Sequence, residues 1–300
     1  MTWQLALSGL LIGALVGMTG MGGGSLMTPL LVIVFGFQPA VAVGTDLVHG
    51  ALFKSVGAIR HRAMGTVQAR LSGWMFLGSA PMSLVGVWVS DWMRHHYGDS
   101  AQTLQGRVLG VALVIGASGL VAKNIMNFRE APDAPFILNR RDRVAAVLIG
   151  LGGGFMVGLT SVGSGVFFGL SLLVLFPLRS SKVVGTDIFH AAALLWVAGA
   201  GHLVAGNVDT GAVAWLLVGS RPGVLIGSHV SVRLPDRVLQ LALAVTLAAS
   251  GAKLVDLPHA NETAFAVLAL GIIGLIAFAR STRVQPTQSG EAGSATRPEP

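Results

Sequence analysis

The chain has no cysteine, which excludes disulfides, thiolate metal sites and cysteine nucleophiles. Charge is scarce: Asp, Glu, Lys and Arg make up 11% of the 300 residues, against about a quarter in a soluble globular domain. No HExxH spacing, GxSxG elbow or phosphate-loop lysine motif occurs. Nothing therefore points to zinc hydrolysis, a serine nucleophile or ATP-driven work, and the expectation is a protein that is not an enzyme and needs no cofactor or resident metal. The first residues, MTWQLALSGLLIGALVG, lack a basic flank and a small-residue cleavage site, so they read as a retained membrane element, not a signal peptide.

What the chain has is apolar length. Hydrophobic residues make up 53% and the mean hydropathy is +0.72. Apolar runs recur from Leu5 to Ala279, many near the roughly 20 residues an α-helix needs to cross a bilayer. In lipid every backbone polar group needs an internal partner, so these runs are expected to be helices or pieces of broken helix in an all-α integral membrane protein. The formal charge is +7, but its Lys and Arg sit in short loops between apolar segments. That is a topology signal and gives no support to a nucleic-acid partner.

The chain repeats itself. Gly44-Thr45-Asp46 with His49 recurs as Gly185-Thr186-Asp187 with His190, a spacing of 141 that, without a gap, also pairs Gly13 with Gly154, Gly24 with Gly165, His61 with His202 and Gly78-Ser79 with Gly219-Ser220. Roughly a third of positions 13 to 86 match their partners, which marks an internal duplication. Each half reads as a Gly-rich broken or re-entrant helical segment (4–36 and 144–177), too short for two full crossings and so expected as a re-entrant hairpin or two short half-helices, followed by three transmembrane helices. These are expected at 41–60, 67–89 and 104–124, then at 182–203, 211–232 and 237–256. The expected division is a first repeat with its cytoplasmic connecting loop at 1–142, a second repeat at 143–258, an extra transmembrane helix at 259–280 and a disordered cytoplasmic tail at 281–300.

Loop charge orients the halves, because cytoplasmic loops carry the Lys and Arg excess. Arg60, Arg62 and Arg70 surround one loop, whereas the equivalent loop near Asn207 and Asp209 has neither residue type. Equivalent loops therefore face opposite sides. The expectation is an inverted repeat in a cell inner membrane, with the N-terminus outside and the C-terminus cytoplasmic.

Inverted repeats with discontinuous helices place their site where the breaks meet. In the first break, Thr19, Gly22, Gly23, Gly24 and Ser25 are candidate substrate residues; in the second, Thr160, Gly163, Ser164 and Gly165. Glycine runs leave backbone N–H groups open to a ligand, and a following half-helix offers its positive end to an anion. Glycine in membrane helices also serves close packing. Asp46 and Asp187, with His49 and His190 one helical turn on, are candidates for a proton relay; helix capping and a backbone partner are the structural alternative. Thr45 and Thr186 flank the aspartates. Lys54 and Arg221 break the repeat, standing opposite Leu195 and Ala80. Cations without a copy suit an anionic substrate, although snorkelling or pairing with an aspartate also accounts for them.

The segments GMTGMGGGSLMTPLL, AVAVGTDLVHGALFKSVGAIRHRAMG and KVVGTDIFHAAALLWVAGAGHLVAGNV resemble the sulfite exporter TauE/SafE family, membrane transporters of sulfite and organosulfur anions with a duplicated core. The resemblance covers nearly the whole chain apart from the tail. It implies a site near Gly22 to Ser25 and Gly163 to Gly165. The second break departs from the first, with Gly-Ser-Gly for three glycines and Leu170 opposite Pro29, which leaves room for unequal half-sites.

The function expected is secondary transport, in the export direction, of a small anion such as sulfite or a sulfonate, with protons as a candidate coupling ion. A membrane assembly or sensor partner that transports nothing is the alternative, and a metal-cation carrier the weaker one. Substrate identity and oligomeric state are not legible.

Overall fold

A computed structural model describes residues 2–19, 24–97, 99–125, 136–231 and 236–255. Within them lie ten helices: α1 (Thr2–Thr19), α2 (Gly24–Ile33), α3 (Pro39–Ala63), α4 (Ala69–Tyr97), α5 (Asp99–Ile125), α6 (Arg140–Thr160), α7 (Phe167–Leu175), α8 (Ser180–Val204), α9 (Thr210–Ser231) and α10 (Asp236–Leu254). The described residues contain no strand. Among the described residues, five helices are long and apolar enough to cross a membrane. Large apolar side chains face outward all around, among them Trp3, Val56, Ile59, Leu77, Trp88 and Leu148. A water-facing protein leaves few contiguous apolar patches, so this surface suits lipid.

Helix ends follow local chemistry. Pro39 opens α3, where its missing N–H leaves nothing unsatisfied. Asn139 and Asp142 close a capping box at the start of α6, with bonds of 2.9 and 3.0 Å. Gly65 and Gly206, at φ +67° and +69°, take the left-handed turn after α3 and α8 that a side chain would resist.

The six helices expected after the Gly-rich segments are all present, with α4 running on to Tyr97. The Gly-rich segments differ from a pair of short half-helices. In the second, α6 has 21 residues and α7 has nine, which at 1.5 Å per residue are about 31 Å and about 14 Å. A helix of nearly spanning length thus precedes one half-helix. The first segment is likewise divided between α1 and α2. Gly22 and Gly23, the expected helix at 259–280 and the tail at 281–300 lie outside the described residues.

Glycines decide how the helices pair. A Cβ at Gly219 would collide with the Ala6 carbonyl, at Gly223 with the Leu10 carbonyl and at Gly227 with the Ala14 carbonyl. The contact advances on both helices together, so α1 and α9 run parallel with backbones in contact. The same holds between α4 and α6, where Gly78 meets Val147 and Gly86 meets Phe155. At the 141 spacing the Gly78 contact is the copy of that at Gly219, and the Gly86 contact the copy of that at Gly227.

α3 and α8 cross the other way: Val48 packs on Gly199, and Gly57 on Ile188. The Trp196 indole donates to Ser55 Oγ at 3.0 Å, a bond between two equivalent positions. α5 and α10 are also antiparallel, with Gly110 and Gly251, again equivalent, in mutual backbone contact and Asn124 bonded to Gln240 at 3.1 Å. Tertiary hydrogen bonds repeat too. Thr45 Oγ1 accepts from the Asp209 N–H at 3.0 Å, and Thr186 Oγ1 from the Gln68 N–H at 2.9 Å. The loop after α8 is thereby tied to the start of α3, and the loop after α3 to the start of α8, where Lys182 also donates to the Gly65 carbonyl. These two loops sit at opposite ends of α3, whose 25 residues span about 37 Å.

Candidate functional site

The second break follows from backbone conformation. α6 ends where Ser161 turns left-handed at φ 60°, and Gly163 and Gly165 continue at φ 125° and 137°, a region L side chains rarely enter. The Ser161 N–H closes α6 on the Val157 carbonyl at 2.8 Å, and the Thr160 hydroxyl accepts from the Val162 N–H at 3.2 Å. α7 then starts at Phe167 with no side-chain cap. Its positive end is directed at the turn from 161 to 166.

α3 runs past this turn and presents Asp46, Gly50 and Lys54 on one face, four residues apart. All are buried, Asp46 at 1% and Lys54 at 5% exposure. The Lys54 ammonium donates to the Ser164 carbonyl at 2.8 Å and to Ser164 Oγ at 2.9 Å. Asp46 Oδ2 accepts from Ser161 Oγ at 2.7 Å and from Thr28 Oγ1 of α2 at 2.6 Å. Asp187, on α8, is 6% exposed and its Oδ1 has no hydrogen-bond partner among the described residues. Lys54 lies within electrostatic reach of both carboxylates.

The histidines bridge the halves symmetrically. His49 Nε2 and Ser220 Oγ are 3.0 Å apart, and His190 Nε2 and Ser79 Oγ 2.9 Å. Each ring also meets an aromatic neighbour: Phe53 for His49 and Phe168 for His190.

The fold therefore brings Asp46, Lys54, Thr160, Gly163, Ser164, Gly165 and Asp187 to one neighbourhood, with His49 and His190 one turn beyond the aspartates. Thr45 and Thr186 are buried beside them, but their hydroxyls hold the distant loops. Arg221 is not brought in: it lies on the exposed face of α9, because the glycines at 219 and 223 turn the opposite face of that helix onto α1. Gly24 begins α2; the side chains of Thr19 and Ser25, with Gly22 and Gly23, lie outside the described residues. His202, near the end of α8, is fully buried on the Gly158 carbonyl at 2.9 Å.

Four contributors escaped sequence reasoning: Thr28, Ser161, Ser79 and Ser220. The two serines on the histidines are an equivalent pair, so the duplication itself carried that signal. Thr28 and Ser161 have no copy, standing opposite Gly169 and Gly20. Replacing Thr28 with valine removes one hydroxyl from buried Asp46 at nearly constant volume and is expected to destabilise the protein by about 1–3 kcal/mol. Thermal melting of the detergent-solubilised variant checks this.

The described residues hold no group of three or more His, Asp or Glu placed to bind a metal ion. Two buried carboxylates, one buried ammonium and a positive helix end meet at the join of the two halves. Broken helices, spanning helices and this buried polar cluster together define a helical, multi-pass membrane transporter. The chain belongs to the TauE/SafE sulfite exporter family, whose model matches residues 5–254. It is similar to the probable membrane transporter protein YjnA of Bacillus subtilis, with 38% identity covering 85% of this chain and 100% of the relative. The probable membrane transporter protein YdhB of the same organism is 26% identical over 80% of this chain and 95% of its own length. No solved structure matches the chain.

Proposed function

We propose that the protein is a secondary transporter that exports sulfite or a related small organosulfur anion across the inner membrane, coupled to protons. The observation that carries the reading is Lys54: a buried ammonium planted on Ser164, next to the uncapped start of α7. Two positive features converging in a dry site favour a small anion. The neighbouring carboxylates give a proton somewhere to bind, which keeps the buried charge balanced as the anion enters.

We also infer that the halves form an inverted repeat. Antiparallel passage of the equivalent pairs α3 with α8 and α5 with α10 supports it, since a two-fold axis relating antiparallel helices lies across them, in the membrane plane. Loop charge supports the N-terminus outside and the C-terminus inside. Positions 63 and 204 are equivalent, exposed and at opposite ends of the bundle. In a chain without cysteine, Ala63→Cys is expected to label only from the cytoplasmic side and Val204→Cys only from outside. Labelling of both from one side overturns the orientation.

Sulfite flux into proteoliposomes tests the function. The expected result is flux that saturates with sulfite and accelerates with an imposed pH gradient. Absence of flux for sulfite and for sulfonates overturns the reading.

A further inference from the structure

The two repeats treat their aspartates differently, and the difference can be traced residue by residue. Asp46 is held by two hydroxyls, Thr28 from α2 and Ser161 from the second break. At the 141 spacing the counterparts of these hydroxyls are Gly169 and Gly20. Gly169 lies where Thr28 would be, and a Cβ placed there would stand 3.9 Å from Asp187 Oδ2. Asp187 has thus lost both hydroxyl donors by substitution to glycine, while its backbone setting in Gly-Thr-Asp is retained.

Resting on the proton-coupled reading above, we propose that Asp187 alone carries the coupling proton, and that Asp46 is a positioning carboxylate. Two hydroxyl donors converge on Asp46 Oδ2 and fix that carboxylate between α2 and the break at Ser161. Both aspartates are buried with Oδ1 unpartnered; what sets Asp187 apart is that no hydroxyl among the described residues donates to it, and a buried carboxylate with fewer donors is the one that gains by taking a proton.

The groups acting on Asp187 are few. Lys54 reaches it from α3 and Lys123 from α5, and His190 follows it on α8. α7 has no titratable side chain; those of α6 lie in its first turn, and those of α4 are Arg70 at its start and Asp91 to Tyr97 in its last two turns. The step is a transfer of one proton from water on one side to the Asp187 carboxylate and from there to water on the other side. No other bond changes.

Infrared difference spectra of the full chain in lipid, between acidic and alkaline buffer, read protonation without any transport. The expected result is a buried protonated-carboxyl band that Asp187→Asn abolishes and Asp46→Asn retains. Loss of that band in Asp46→Asn with retention in Asp187→Asn overturns the assignment, as does equal loss in both. In proteoliposomes, Asp187→Asn is expected to lose acceleration by a pH gradient. Full acceleration in that variant also overturns it. Gly169→Thr keeps the aspartate and supplies the missing hydroxyl; it is expected to weaken the pH-gradient response about tenfold, and an unchanged response counts against the proposal. Because the infrared band does not depend on sulfite, a wild type without flux would sink the transport reading and still decide the role of Asp187.

Discussion

Replacing Lys54 with leucine, the residue at the equivalent position 195, is expected to cut sulfite flux about 100-fold, the cost of removing one partner from a buried charge interaction. Lys54 is 5% exposed and bonded twice to Ser164, so its loss removes the cation and frees the turn before α7. The variant is expected to remain folded. Leu195 shows that the fold accepts leucine at the matching place, and the carboxylates around Lys54 can take up protons when it is gone. Flux in proteoliposomes, with size-exclusion behaviour as the control for folding, checks both halves of the statement. Wild-type flux in a monodisperse Lys54→Leu protein removes Lys54 from the substrate path.

The second large effect falls on packing. Gly219→Leu is expected to destabilise the protein by about 3 kcal/mol, the upper end of overpacking, because its side chain would have to displace the Ala6 carbonyl of α1. The atom in the way belongs to a backbone and cannot rotate aside, so two helices must part along their length. Gly78→Leu makes the same collision with Val147 between α4 and α6 and is expected to cost about as much. Gly73 is the control. It lies in α4 with no atom within 4 Å of its would-be Cβ, and Gly73→Ala is expected to stay within about 1 kcal/mol of wild type. Thermal melting in detergent separates the three.

These glycines show what could be read early and what could not. The duplication named Gly78 and Gly219 as a pair, and apolar length named their helices. Neither says that α4 packs on α6 and α1 on α9, since nothing in one sequence reports which apolar faces meet. The site was legible to the same extent. Asp46, Lys54, Ser164 and Asp187 stood out as charges or hydroxyls inside apolar segments, where such groups are costly and need a reason. Arg221 stood out by the same reasoning and is exposed. Which side of a helix a charge occupies depends on which glycines the neighbour needs, and that is a tertiary fact. Thr28 was invisible because a threonine in an apolar run carries no signal until a carboxylate is found beside it.

The residue order by itself determined that the chain is a helical membrane protein, that its core is duplicated, and where six of its helices lie. Those properties follow from local terms: apolar length, backbone self-satisfaction, caps and glycine turns. Only the tertiary structure decided which helices pair, that Lys54 of the first half rests on Ser164 of the second, and that the hydroxyls serve Asp46 and leave Asp187 without them. Such facts depend on contacts between positions 18 to 115 residues apart, and the sequence is silent about those distances until the backbones close on one another.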